Sequence, residues 1–461
     1  MKTWITLLFI STFMGPYAQQ LEPTPVPLIL DEKVTRLWAQ EYIGSDLVRE
    51  ELEEWNQQFN HTLKVPLSIV DLGFEKDHIT LTEEIPVPRQ MNGKRFMRAN
   101  HGTSVANLLT GPSEYRVSDQ VSLMNLTRVN FQGMYGSMWR RFERDNRFPK
   151  VITNSLGWSD PKIPEIVEKA DQQNILWFLA AGNDYPTPVR ILEKESKAIM
   201  IGSFAPSGLT SYETQNDAKL VVLAPANEEL ATINGYGKEH LFGATSGATP
   251  LVAGTVINIL SFLPSLNRDQ TIHLIKKTAF KSVENKLGLT EMPGLLNGYK
   301  LFRVAKRIYE ECHEDLECIQ EKIYLEITYQ FKNEQDVVKC ETIKNLAPFE
   351  EEKKQLTLKD MRRLSFLGSI DQMRELSCAY RHLGYEKNSE YFAFLAEEQA
   401  PLREMERKAN LAQDKSLYQI SYYRYGPYYS DEYELHIKAS PMNEHHKLLL
   451  LDLKKEHLSG R

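Results

Sequence analysis

Gly243-Ala244-Thr245-Ser246-Gly247-Ala248-Thr249-Pro250-Leu251-Val252-Ala253-Gly254 is a run of small and apolar residues that opens a buried helix. Ser246 falls at the N-terminus of that helix, read over 247–263, where backbone N–H groups and the helix dipole favour a developing negative charge. Pro250 sits inside the first turns, where a missing N–H breaks the hydrogen-bond ladder and calls for a reason. Two further helices are read after it, over 268–280 and 298–311. Before it, short apolar runs are bounded by turn residues: Val65 to Val70, Val121 to Leu126, Val151 to Ser155, Ile175 to Ala180, Ala198 to Ser203 and Leu220 to Ala224. Amphipathic stretches near 102–110, 132–145 and 162–173 lie between them. Strand and helix in alternation predict an α/β fold with a mostly parallel sheet flanked by helices.

The rest of the chain frames this region. Its 461 residues exceed one ordinary core. The 55 basic and 62 acidic residues leave a net charge of -7, which offers no basic field for nucleic acid. Met1-Lys2, the apolar run Trp4 to Phe13 and the small residue Ala18 read as a signal peptide over 1–18. The run is too short to span a bilayer, so no membrane span is expected after cleavage, and the destination is secreted or periplasmic. A Pro-rich segment occupies 19–32, and a charge-rich helical stretch follows from Glu32 to Phe59. Beyond 311 the texture turns Glu- and Lys-rich, and 312–461 read as a smaller, mainly helical C-terminal domain. All four cysteines lie there, Cys312, Cys318, Cys340 and Cys378. In an exported chain they predict two disulfides, with three pairings open. A Tyr-dense stretch from Tyr418 to Ile437 fits a hairpin, with its tyrosines open to two readings, a contact surface or a packing face of the domain.

Three other constellations carry chemistry. His101-Gly102-Thr103-Ser104-Val105-Ala106 places an imidazole at the start of a predicted helix. Asp71 ends the apolar run Ser68-Ile69-Val70, and a carboxylate at the end of a buried strand is costly unless paired. Phe178-Leu179-Ala180-Ala181-Gly182-Asn183 puts a side-chain N–H donor at another strand end, the kind of donor an oxyanion hole needs. Each alone has an ordinary structural explanation as a helix cap or a turn. Together, in the order Asp, His, Asn, Ser within one α/β region, they are no longer independent.

On these residues the chain resembles the subtilisin-like serine proteases over about 33–311. The resemblance implies a triad of Asp71, His101 and Ser246, with Asn183 in the oxyanion hole and no metal required for catalysis. It implies that Ser155, Leu156 and Gly157, in Asn154-Ser155-Leu156-Gly157, bind polypeptide substrates in extended conformation by main-chain pairing. Pro293 to Ala305 resembles the family's closing helix. The family often binds structural calcium, which stays open for this chain because no loop carries a clear set of oxygen ligands. The chain departs from the family pattern at Leu72, Ala244, Gly247 and Leu251. Ala244 adds a methyl near the cleft, and Gly247 is expected to remove a packing side chain behind the nucleophile. About 50 residues between the expected cleavage and Asp71 leave no room for a folded pro-domain. The alternative is a catalytically inactive subtilase-fold module for peptide binding or assembly. An esterase of the Gly-x-Ser-x-Gly type is disfavoured, because the serine comes last in the order.

Overall fold

Six short apolar runs become six strands because each is buried on both faces. The strands are β1 (Val65–Asp71), β2 (Val121–Arg128), β3 (Val151–Asn154), β4 (Leu176–Ala180), β5 (Ile199–Phe204) and β6 (Leu220–Pro225). In this computed structural model they form one sheet in the order β2-β1-β3-β4-β5-β6, every pair parallel. The residues described are 37–59, 63–75, 77, 79, 96–112, 114–128, 134–156, 163–183, 197–204, 210–211, 214–215, 219–226, 230–280, 293–324, 340, 361, 363, 365–366, 370–382, 389 and 393. The signal peptide, the Pro-rich segment, Gly157 and the Tyr-dense stretch lie outside them.

Alternation along the strands sorts side chains into two cores. Leu67 and Ile69 of β1, Val151 of β3 and Leu176 and Phe178 of β4 face the larger one. That core is covered by α1 (Trp38–Ile43), α2 (Ser45–Phe59), α3 (Phe96–Thr110), α6 (Ala244–Leu260), α7 (Arg268–Thr278) and α8 (Gly298–Cys312). Val70, Ile152, Trp177 and Leu179 face the smaller core, covered by α4 (Met134–Asp145) and α5 (Ile163–Gln172). Helices on both faces are what a doubly apolar parallel sheet requires.

The strand order places a cleft. From β1 the chain steps outward to β2, then returns to β3 on β1's other side. The winding reverses between β1 and β3, and a crevice opens at the carboxyl ends of strands at such a switch. Val70 pairs with Asn154 across it, so Asp71 and Ser155 follow on either side.

Several elements differ from expectation. The first helical stretch is two helices, broken at Gly44 with φ +70°, where an added Cβ would meet Tyr299 at 2.8 Å. Helix α3 begins at Phe96, so His101 lies in its second turn and not at its start. Helix α6 begins at Ala244, earlier than 247. A hairpin of β7 (Ala231–Ile233) and β8 (Glu239–Leu241), absent from the reading above, precedes α6.

The C-terminal part continues into α9 (Leu316–Tyr324) and α10 (Ile370–His382). Cys312 pairs with Cys318, and Cys340 with Cys378, at disulfide distance. Phe366 is buried in the larger core against Tyr299 and Phe280 at 5.4 and 5.9 Å, and its carbonyl accepts from Asn297 Nδ2 at 3.0 Å. No helix among the described residues is long and apolar enough to cross a membrane.

Candidate active site

Asp71 is fully buried at the end of β1, and an isolated carboxylate there would be expensive. It is not isolated. His101 Nδ1 lies 2.8 Å from Oδ1 and 3.0 Å from Oδ2, and Leu72 N donates to Oδ1 at 2.6 Å. The two residues after His101 make this approach feasible. A Cβ on Gly102 would stand 2.2 Å from Gly73 O and 2.9 Å from Asp71 Cβ, so only glycine lets α3 press so close to β1. Thr103 Oγ1 accepts from Glu75 N at 2.9 Å and ties the loop after β1 to the same helix.

The imidazole feels opposing influences. Burial disfavours its charged form, but the Asp71 charge and hydrogen bond outweigh this, and its pKa lies above the ordinary 6.5. With an Nδ1 proton directed at Asp71, neutral His101 has Nε2 as its basic nitrogen, a tautomer assigned from the hydrogen-bond pattern.

On the other side of the cleft, α6 opens with Ala244 at φ +56°. The switch into the helix exposes the first turn to β3. Pro250 has no N–H, so the carbonyl of Ser246, four residues earlier, has no helical donor. Ser155 Oγ supplies the missing bond, donating to Ser246 O at 2.9 Å. Ser246 Oγ in turn donates to Ser155 O at 3.0 Å. The end of β3 and the first turn of α6 are therefore joined by a reciprocal pair. Gly247 leaves no gap behind Ser246: a Cβ there would meet Leu230 Cδ2 at 2.6 Å and Ala226 Cβ at 3.2 Å. The expected loss of packing is corrected, because Leu230 and Ala226 already fill the space.

Asn183 follows β4 through Gly182, which has φ +102°. Its Oδ1 accepts from Thr245 N at 3.1 Å and from Thr245 Oγ1 at 2.7 Å, while Thr245 Oγ1 accepts from Gly182 N at 3.3 Å. With the oxygen committed to α6, the planar amide turns its NH₂ to the opposite side. Leu156 N donates to Asn154 Oδ1 at 3.1 Å, and Asn154 Nδ2 donates to Tyr135 OH at 3.0 Å, fixing the backbone just after β3.

The sequence-derived residues thus meet in pairs: Asp71 with His101, Ser155 with Ser246, and Asn183 with the residue before Ser246. The hydroxyl of Ser246 makes its hydrogen bond to Ser155 O and not to His101. Phe242, four residues before Ser246, meets the His101 ring edge-on with centroids 5.2 Å apart, bringing the two sides together. Phe242 and the hairpin before it were missed. Their signal was Asn234-Gly235 between two short β-prone runs. Among the described residues one group of metal-ligating side chains comes together, Cys340, Cys378 and His382, and its two sulfurs pair with each other.

Residues 64–299, just over half of the chain, match the model of the subtilase family, Peptidase_S8. An intracellular serine protease of Paenibacillus polymyxa is 28% identical over 251 residues, covering 49% of this chain and 76% of that protein. Among solved structures, the prenylagaramide maturation protease PagA is 17% identical, covers 55% of this chain and 97% of its own, and has a TM-score of 0.41. A cold adapted subtilisin-like serine proteinase is 23% identical, with 51% and 87% covered and a TM-score of 0.39. On the match across residues 64–299, the chain belongs to the subtilase family and is a subtilisin-like serine protease, a hydrolase of peptide bonds.

Proposed function

We propose that the chain is an exported endopeptidase in which Asp71, His101 and Ser246 form the catalytic triad. The observation that carries this reading is the buried Asp71 carboxylate held 2.8 Å from His101 Nδ1 at the switch point of the sheet. His101 Nε2 takes the proton of Ser246 Oγ as that oxygen attacks the scissile carbonyl. The same proton then goes to the leaving amine, and water repeats the sequence on the acyl-enzyme. Asp71 holds the productive tautomer and stabilises the imidazolium. Asn183 Nδ2 and the backbone N–H of Ser246 receive the oxyanion. Every proton transfer is carried by side chains of this chain.

Ser246 must first leave Ser155 O, a rotation about one side-chain bond. A polypeptide lying extended beside Ser155 and Leu156 presents its own N–H groups to that backbone. A substrate N–H that takes Ser155 O competes with the Ser246 hydroxyl and releases it toward His101. Were the Ser155–Ser246 bond permanent, the fold would act as an inactive peptide-binding module instead.

A fluorophosphonate probe separates these readings. The native protein becomes labelled and cleaves a peptide library, and Ser246→Ala abolishes labelling and lowers turnover by about a million-fold. Native protein that is pure and folded yet neither labelled nor active supports the module. Export rests on the basic start, apolar run and small residue of 1–18 and on cysteines paired at disulfide distance. N-terminal sequencing of protein recovered outside producing cells tests it, and an intact Met1 overturns the cleavage.

A further inference from the structure

Helix α3 carries a second row of polar side chains beside His101. Asn100, Ser104 and Asn107 recur at intervals of four and three, one face of a helix. All three grip the β7–β8 hairpin. Asn100 Oδ1 accepts from Gly235 N at 3.0 Å, and Asn107 Nδ2 donates to Ile233 O at 3.0 Å. Ser104 Oγ lies 2.7 Å from His240 Nε2, and Ser104 O accepts from Thr232 Oγ1 at 3.3 Å. Tyr115 OH adds a bond to Glu239 Oε2.

The central contact has a defined direction. Ser104 Oγ donates its single proton to Asn100 O at 2.8 Å. With its proton so placed it accepts from His240, and the Nε2–H tautomer is assigned from this hydrogen-bond pattern. Burial pulls the His240 pKa below 6.5, so the ring is neutral at pH 7 with that proton on Nε2. Two residues on, the Phe242 ring stands between the two histidines, with centroids 6.0 Å from His240 and 5.2 Å from His101. Its backbone N–H is held by Leu230 O at 2.7 Å. The hairpin thus ends in an aromatic wall laid against the imidazole that Asp71 orients.

We propose that His240 is a positioning residue: by bonding Ser104 it clamps the β7–β8 hairpin to α3 and holds Phe242 against His101, fixing the ring and shielding it from water. The inference rests on the triad reading above. The clamp has a consequence that general stabilisation lacks. Burial lowers the His101 pKa against the pull of Asp71, so loosening Phe242 admits water and raises that pKa further. Asp71 on β1 is the charged group facing His101, and His240 on β8 is the ionisable group across Phe242.

The test compares His240→Ala, His240→Gln and Ser104→Ala in the full chain, with peptide hydrolysis across pH, melting temperature, and NMR titration of the His101 ring. His240→Ala is expected to lower kcat about 10-fold or more with a smaller change in KM. The acid limb of kcat/KM and the NMR titration of His101 are expected to move together to higher pH by about half a unit. His240→Gln, whose amide N–H can again donate to Ser104, restores most of both. Ser104→Ala reproduces the shift with His240 present, and serves where His240→Ala does not fold. A loss of activity that follows melting temperature, with the His101 titration unmoved in Ser104→Ala, overturns the clamp. The NMR titration reads the clamp even if the protein hydrolyses no peptide, so failure of the triad reading is separately visible.

Discussion

On the β1–α3 side of the cleft, Asp71 and His101 already touch at 2.8 Å, whereas on the β3–α6 side the Ser246 hydroxyl is bonded to Ser155 O at 3.0 Å. The difference follows from what each side must satisfy within the protein itself. A fully buried carboxylate has no tolerable alternative to a partner, so the Asp71–His101 pair assembles with the fold. A serine hydroxyl is neutral and turns about one bond, so a backbone carbonyl within reach satisfies it. That acceptor is at hand because Pro250 leaves Ser246 O for Ser155 Oγ, drawing the two backbones together. One side is thus held by charge, and the other by exchangeable neutral hydrogen bonds.

The largest effect should come from removing the charge. Asp71→Asn keeps the shape of the β1–α3 side but offers an amide where His101 needs an acceptor for Nδ1–H. Turnover is expected to fall about 10,000-fold. The pH dependence carries a sign. The Asp71 charge and hydrogen bond raise the His101 pKa against burial, so without them burial acts alone and the pKa drops. The acid limb of the remaining activity then moves to lower pH, the reverse of the shift expected when the hairpin clamp is loosened. On the proposed triad the native limb is expected on the alkaline side of the ordinary histidine value, because the base must be neutral. A limb that moves up in Asp71→Asn would show that this side is not governed by the carboxylate.

On the other side the corresponding cut is Asn183→Leu. It removes the proposed oxyanion donor and the Oδ1 that receives Thr245 N and Oγ1. Expected is a fall of about 100- to 1000-fold in kcat with KM little changed, since the donor acts on charge that develops in the transition state. Equal losses in kcat/KM through KM alone would assign Asn183 to holding α6 and not to the chemistry.

The two sides were unequally legible in the sequence. Asp71 and His101 stand out as a carboxylate ending an apolar run and an imidazole followed by glycine and threonine, and the six strand runs stand out as short apolar stretches bounded by turn residues. Gly102 has its explanation in the 2.2 Å that a Cβ would leave to Gly73 O. The start of α3 was misplaced because no capping residue marks Phe96, and His101 looked like a beginning only because Gly102 follows it. The direction of the Ser246 hydroxyl is not in the sequence at all. It depends on a rotamer and on an acceptor 91 positions away. Nor is the grip of His240 on Ser104, across 136 positions, since a lone histidine in a three-residue strand has no periodicity to read.

The smallest predicted effect probes strain on the serine side. Four described residues other than glycine have positive φ: Asn146, Asn174, His313 and Ala244. Asparagine tolerates the left-handed region, and histidine is found there more often than most residues. Alanine has no side-chain hydrogen bond to offset its Cβ clash, which costs about 1–2 kcal/mol. The turn before Ser246 holds that strain because Thr245 is fixed from both sides, by Asn183 and by Gly182. Ala244→Gly removes the clash and gives back about 0.5–1 kcal/mol in chain entropy. The net expectation is a gain of about 0.5–1 kcal/mol, read as a higher denaturation midpoint at unchanged slope. The Asp71–His101 pair, on the opposite strand and helix, should keep its pH limb where it was. A stability gain with an unmoved limb confines the strain to the side that carries the serine, while a loss of stability would mean that the Ala244 methyl contributes packing that outweighs its clash.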